Sequence, residues 1–233
     1  MAHGNITAIL LDAGGVLIFP QPEAMLAPLA AAGVTPDLVT MERAHYRAMS
    51  VLDVPGSPDP DRDTWWASYL GDYITGCGVP LENVSEVAAE MAGIPSLGWT
   101  HVGPDVHAGL RDLAALGVPL GIVSNSDGTV EAELRRLSVC QTGDGDGVPV
   151  GVVVDSAVAG VAKPDPVIFR IALDILGVEP GDTVLHVGDS LRYDVTGALA
   201  AGLRPVHLDP YGFCPAPAGH DHVTSLGGVL ELA

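Results

Sequence analysis

The chain reads as an α/β protein: a Rossmann-like parallel sheet core with helices on both faces, interrupted by an inserted all-helical cap domain. Three observations predict this. Short runs rich in Val, Ile and Leu recur without strict apolar–polar alternation, as expected of strands covered on both faces. Helix-period patterns lie between most of these runs, and strand–helix alternation implies parallel pairing. The stretch from about Pro20 to Pro95 breaks that rhythm, showing helical patterns and no convincing strand.

The first strand is read over Ile6–Leu11. The insert follows, with helices expected over Pro22–Ala32, Pro36–Leu52, Thr64–Thr75 and Leu81–Ala92. Glycine- and proline-rich stretches separate them, among them the acidic Asp53–Asp63, which reads as a solvated, proline-stiffened loop. The alternating pattern then resumes. Helices are expected over Pro104–Leu116, Thr129–Leu137, Pro166–Leu176 and Val195–Ala201, and strands over Val118–Val123, Val150–Val154, Thr183–Val187 and Pro205–Leu208. Pro164 suits the approach to a helix start. The expected division is an α/β core of residues 1–18 and 97–233, with a helical insert of residues 19–96.

Charge narrows the function classes. Acidic residues outnumber basic ones 29 to 10, a formal charge of −19, which repels nucleic acid and anionic membrane surfaces. An anionic substrate therefore needs local positive charge or a metal. No apolar run approaches the ~20 residues that span a bilayer. Cys77, Cys140 and Cys214 show neither zinc spacing nor a disulfide framework. A reducing compartment and, without a secretory N-terminal pattern, a cytoplasmic location are expected. The oligomeric state stays open.

In open parallel sheets ligands bind beyond the carboxyl ends of the strands. The polar residues expected there are Asp12 after the first strand, Ser124 and Asn125 after the second, and Lys163 some way after the third. Asp189 and Ser190 follow the fourth, with Asp194 five residues beyond Asp189. Lys163 is the only lysine in the chain. A compact ammonium suits crowded carboxylates and phosphate.

These residues, as Asp12-Ala-Gly-Gly-Val-Leu, Val123-Ser124-Asn125, Lys163-Pro-Asp-Pro and Gly188-Asp189-Ser190-Leu-Arg-Tyr-Asp194, resemble the four ordered motifs of the haloacid dehalogenase (HAD) superfamily. The resemblance covers roughly residues 6–18 and 97–208, and the helical insert sits where that family often carries its cap. It implies a hydrolase with Asp12 as nucleophile, Ser124 holding the transferring group and Lys163 neutralising charge. It also implies Mg2+ held by Asp12, the Gly14 carbonyl and Asp189, with Asp194 as a further ligand or support. Gly15, Asn125, His45 and His101 are the candidate substrate contacts. The partner implied is a small phosphorylated or halogenated molecule. Magnesium prefers hard oxygen ligands, and with Lys163 it would offset the charge of both phosphate and nucleophile.

One position departs from the family pattern. Its phosphatases usually carry a second aspartate two residues after the nucleophile, and here that place is Gly14. A general acid or base is typically worth about 10²–10⁴ in rate. Three explanations are open: His45 or His101 supplies the group, the leaving group needs little protonation, or the reaction is carbon–halogen hydrolysis. The dehalogenase alternative conflicts with Gly188-Asp189 and with Phe169 near the place of an expected tyrosine. A phosphonatase reading fails because the insert contains no lysine. A catalytically weak binding or regulatory protein is the remaining alternative. Elsewhere, His186 reads as a packed core histidine and Trp65-Trp66 as core packing. His45 reads as part of a solvated helix face unless it reaches the site. Gly143–Gly147 reads as a solvated turn, and His220-Asp221-His222 as an exposed loop.

Overall fold

The computed structural model describes residues 6–53, 61–94 and 98–232. The strands are β1 (Ala8–Leu11), β2 (Ile18–Pro20), β3 (Trp99–Val102), β4 (Leu120–Ser124), β5 (Cys140–Thr142), β6 (Val148–Val150), β7 (Val152–Asp155), β8 (Val184–Gly188), β9 (Arg204–Leu208) and β10 (Asp221–Val223). Six of them form one sheet in the order β10-β9-β8-β1-β4-β7. Its pairings are parallel. β1, β4 and β8 are buried along their whole length, and apart from Ser124 and His186 they hold only apolar residues and glycine. From β1 the chain moves to β4 and β7 on one side, then returns to β8, β9 and β10 on the other. That reversal beside β1 opens a crevice at the strands' carboxyl ends.

The chain divides into two compact units: the described residues of Met1–Ile18, Val102–Pro210 and Pro217–Ala233, and those of Phe19–His101 and Tyr211–Ala216. The first is the α/β unit. Its helix Pro166–Leu176 lays Ile168, Phe169, Ala172 and Leu173 against the sheet core. Local chemistry sets both helix ends. Asp165 accepts from Val167 N at 2.9 Å, Pro166 occupies the first turn, and Gly177 closes the helix at φ 67°.

The second unit is helical, with Pro22–Ala31, Leu38–Leu52, Arg62–Gly76 and Leu81–Ala92 packed around Met25, Leu29, Tyr69, Ile74 and Met91. Asp37 and Asp61 cap two of these helices, each accepting a backbone N–H three residues on at 2.8 Å. Trp65 stacks on Tyr69 at 5.3 Å, so the tryptophan pair serves packing here. Residues 211–216 were expected with the core but pack with the helical unit. Tyr211 and Phe213 lie under the Arg43 guanidinium, its carbon 5.9 and 5.6 Å from their ring centres.

Three other features differ from the sequence reading. Trp99–Val102 is a strand paired with Ile18–Pro20, and Cys140–Thr142 pairs with Val148–Val150. Gln141 closes the turn between the latter two by bonding both the N–H and the carbonyl of Gly147. His220-Asp221-His222 is no plain loop, because Asp221–Val223 adds an edge strand to the main sheet. Most of the acidic Asp53–Asp63 stretch and residues 95–97 lie outside the described residues. Among the described residues no helix is long and apolar enough to cross a membrane.

Candidate active site

The crevice is assembled from the ends of β1, β4 and β8. Asp12 follows β1, and its N–H donates to the Val187 carbonyl at 2.9 Å, continuing the β1–β8 ladder by one residue. Ser124 ends β4, the strand next to β1. Asp189 and Ser190 follow β8. The chain then makes a single π-turn over Leu191–Val195, a wide turn that returns Asp194 to the crevice. Within it both Asp194 N and Val195 N donate to the Ser190 carbonyl, at 3.0 and 3.1 Å.

Lys163 is the electrostatic centre. Its Nζ lies 2.9 Å from Asp12 Oδ1 and 2.6 Å from Asp194 Oδ1, with the lysine side chain only 1% exposed. Asn125 fixes the lysine's backbone by a reciprocal pair of bonds. Its Nδ2 donates to the Lys163 carbonyl at 3.0 Å, and its Oδ1 accepts from Lys163 N at 2.8 Å. Both ends of the amide bond Lys163, so Asn125 positions the lysine's backbone.

Asp194 is held from three sides. Oδ1 accepts from Lys163 Nζ and from His186 Nε2 at 2.8 Å, and Oδ2 accepts from Ser190 N at 3.1 Å. Gly188 makes room for this: a Cβ there would stand 2.0 Å from Asp194 Cγ. His186 was read as simple packing. It is fully buried and packs edge-on against Phe169 at 4.8 Å, yet it also binds Asp194. The sequence did hold a clue, since a histidine in an otherwise apolar buried strand requires a polar partner.

The electrostatics follow from burial and neighbours. Burial pushes Asp12 up to about 6, against the pull of Lys163. Burial, helped by Asp194, pushes Asp189 up to about 8. Burial acts on Asp194 too, but Lys163 and His186 outweigh it and hold that carboxyl below the ordinary range. Lys163 is raised because its two carboxylates outweigh its own burial. One ammonium is therefore too little positive charge for the carboxylates it faces. Ligand oxygens of Asp12, Asp189 and Asp194 lie within 4.8 Å of one another. A hard, oxygen-only donor set with a deficit of positive charge fits a divalent cation such as Mg2+.

The remaining candidates fall as follows. Gly14 and Gly15 form the turn after Asp12. Gly15 has φ 69°, its N–H donates to the Ile18 carbonyl at 2.9 Å, and Gly14 bridges to Ile18. His101 lies half-buried on β3, in the helical unit. His45 is not on a solvated helix face. It is 1% exposed, its Nδ1 is 3.0 Å from the Tyr69 hydroxyl, and Phe19, Tyr46 and Trp99 meet its ring edge-on. The helix turns it inward because Met41, Ala44, Ala48 and Met49 form the apolar stripe on the same side.

Comparison with known proteins gives the family. The sequence profile of haloacid dehalogenase-like hydrolases matches residues 6–202. A haloacid dehalogenase-like hydrolase domain-containing protein 3 from Danio rerio is 33% identical over 151 residues, 62% of this chain and 57% of that protein. A phosphoglycolate phosphatase from Rhodospirillum rubrum is 38% identical over 134 residues, 57% of this chain and 49% of that protein. The matched stretch thus spans about half the length of such relatives. Two solved structures share the fold over 97% of both chains: a HAD phosphatase from Thermococcus onnurineus (TM-score 0.58, 21% identity) and a 2-haloacid dehalogenase from Pseudomonas syringae pv. Tomato DC3000 (TM-score 0.56, 20% identity). With most of its length matched by the profile, and with the four strand-end motifs gathered around Lys163, the chain belongs to the haloacid dehalogenase-like hydrolase family.

Proposed function

We propose that the protein is a magnesium-dependent phosphatase acting on small phosphate esters or anhydrides, with Asp12 as nucleophile. The observation carrying this reading is the gathering of three carboxylates around one buried lysine. Asp12 is the most open of the groups bonded to Lys163, its side chain 13% exposed against 1% for Asp194, so substrate reaches it first. Both hydrogen bonds of Asp12 among the described residues fall on Oδ1, from Ala13 N at 2.7 Å and Lys163 Nζ at 2.9 Å. Oδ2 is the oxygen left to attack phosphorus.

In the first step the Oδ2–P bond forms and the P–O bond to the leaving group breaks, giving an aspartyl-phosphate. Water then attacks that phosphorus and frees Asp12. Lys163 keeps Asp12 ionised and faces the transferring group, and Asp194 keeps Lys163 in place. Ser124, with the Gly15 turn, holds the phosphoryl oxygens. Mg2+, held by Asp12, Asp189, Asp194 and the Gly14 carbonyl, supplies the positive charge that Lys163 alone lacks. The helical unit acts as a cap that carries specificity. His101 is its candidate substrate contact.

Gly14 has no side chain to protonate a leaving oxygen, which favours leaving groups that need little protonation, such as acyl or aryl phosphates. It also supports a second reading, halide release from a 2-haloacid. The deciding experiment is a panel of phosphorylated metabolites and an aryl phosphate, with and without Mg2+, using the wild type and Asp12→Asn. The panel includes phosphoglycolate and phosphoserine, the substrates named in two relatives. Magnesium-dependent phosphate release that Asp12→Asn abolishes supports the reading. Turnover surviving that change removes Asp12 from its role. Halide release in the presence of a chelator selects the second reading. Binding without any turnover identifies a binding or regulatory protein.

A further inference from the structure

A second group of metal-ligating side chains stands apart from the carboxylates and is built of imidazoles. His207 lies on β9, and His222 is its register partner on the parallel neighbour β10. His220 is two residues before His222. Candidate ligand atoms of the three lie within 4.8 Å of one another. The ring centres are 5.5 Å apart for His207 and His220, 5.3 Å for His207 and His222, and 4.4 Å for His220 and His222. A neutral imidazole is the form that binds metals.

His207 supplies the second, independent observation. The residue is 4% exposed, and its Nε2 is 3.1 Å from the Asp189 carbonyl oxygen. A carbonyl only accepts, so Nε2 carries the hydrogen and Nδ1 carries a lone pair. That Nδ1 is buried and has no hydrogen-bond partner. A bare buried acceptor is costly, and native interiors rarely leave one. A ring with one nitrogen fixed by a backbone carbonyl and the other presented bare is arranged as metal-ligating histidines are. Negative charge stands nearby as well, with Asp209 Oδ2 3.8 Å from His222 Nδ1.

We propose that His207, His220 and His222 bind a first-row transition-metal dication of the Zn2+ type, at a site separate from the carboxylate centre. Imidazole ligands suit zinc and its neighbours in the series, whereas Mg2+ prefers oxygen and dehydrates reluctantly. Zinc–nitrogen bonds of about 2.0–2.1 Å put tetrahedral nitrogens roughly 3.4 Å apart. The half-buried His220 and exposed His222 close that gap by side-chain rotation onto the fixed His207. The ion joins register partners, so it staples the three-residue edge strand β10 to β9. Through the His207–Asp189 bond it also steadies the backbone beside a catalytic carboxylate. The inference does not depend on the phosphatase reading.

The test uses the full chain, stripped with a chelator and titrated with Zn2+ in excess Mg2+. The expected result is one tightly bound Zn2+ per chain, retained in Asp12→Asn and accompanied by a rise in melting temperature. His220→Ala and His222→Ala each weaken binding by about tenfold or more. Both lie on the accessible side, and their circular dichroism without zinc is expected to match the wild type. In the unaltered chain, zinc shifts the imidazole resonances of these three histidines and leaves those of His45 and His186 in place. That readout stands even if a variant misfolds. Zinc binding that Mg2+ abolishes, that both histidine variants leave unchanged, or that moves none of the three rings overturns the proposal.

Discussion

Adding one methyl group at Gly188 tests the account of the site most directly. In Gly188→Ala the new carbon would stand 2.0 Å from Asp194 Cγ and 2.4 Å from both its Cβ and its Oδ2. Carbon–carbon contacts settle at about 3.5–4.0 Å, so Asp194 must retreat by more than an ångström. At 1% exposure it has nowhere to go without leaving its partners. Those are Lys163 at 2.6 Å, His186 at 2.8 Å and Ser190 N at 3.1 Å. Hydrogen bonds to charged groups are worth about 1.5–3 kcal/mol each. They are not additive here, and breaking a buried charge pair costs about 3–5 kcal/mol, the loss expected in urea unfolding. Phosphate release is expected to fall at least a hundredfold, roughly the effect of losing one well-placed catalytic group. In an Asp194→Gly background the three atoms nearest the methyl are gone, and its added cost is expected to fall to about 1 kcal/mol or less. A Gly188→Ala protein within about 0.5 kcal/mol of wild type, with turnover intact, would refute the claim that Gly188 exists to admit Asp194.

Three further predictions rest on separate contacts. Asn125→Ala removes both bonds to the Lys163 backbone, at a cost of about 1–3 kcal/mol. It is expected to lower kcat more than it raises KM, since it displaces the lysine and not the substrate; an effect on KM alone would return Asn125 to substrate binding. His45→Phe keeps the edge-on ring contacts and loses the Tyr69 bond, so unfolding should show a cost of about 1 kcal/mol. Its kcat/KM is expected to stay within about twofold of wild type, and a larger fall would restore His45 to the active site. The third concerns pH. Asp12 near 6 and Asp189 near 8 both lie above the unfolded value of 3.8, so without a cation folding takes up protons. Stability in chelator should then fall as pH rises from about 4 to 8. Asp194, held low, acts in the opposite sense, and its contribution is lost as pH falls below the unfolded carboxylate range. The rise in melting temperature on adding Mg2+ should grow between pH 5.5 and pH 8; a flat or shrinking increment would mean that these carboxylates do not hold the ion.

Much of this was legible in one dimension. The parallel core strands are buried on both faces, so they appear as runs rich in Val, Ile and Leu that no solvent-facing period disguises. The catalytic candidates follow directly because parallel strands all end on one side, which turns a list of strand-terminal residues into a neighbourhood. Asp12, Ser124, Lys163 and Asp189 needed nothing more to be named.

What only the tertiary structure decided depends on contacts between distant segments. Asn125 bonds the backbone of a lysine 38 positions on. His186 is both packing and partner to Asp194, and His45 turns into an aromatic core because its helix stripe points that way. The edge strand β10 is three residues long, too short to show a period, and pairing with β9 alone defines it. That pairing sets His222 beside His207, fifteen positions earlier. Amino-acid order specifies side chains and their local turns, but a bond between segments far apart along the chain exists only once the sheet has chosen which strands are neighbours.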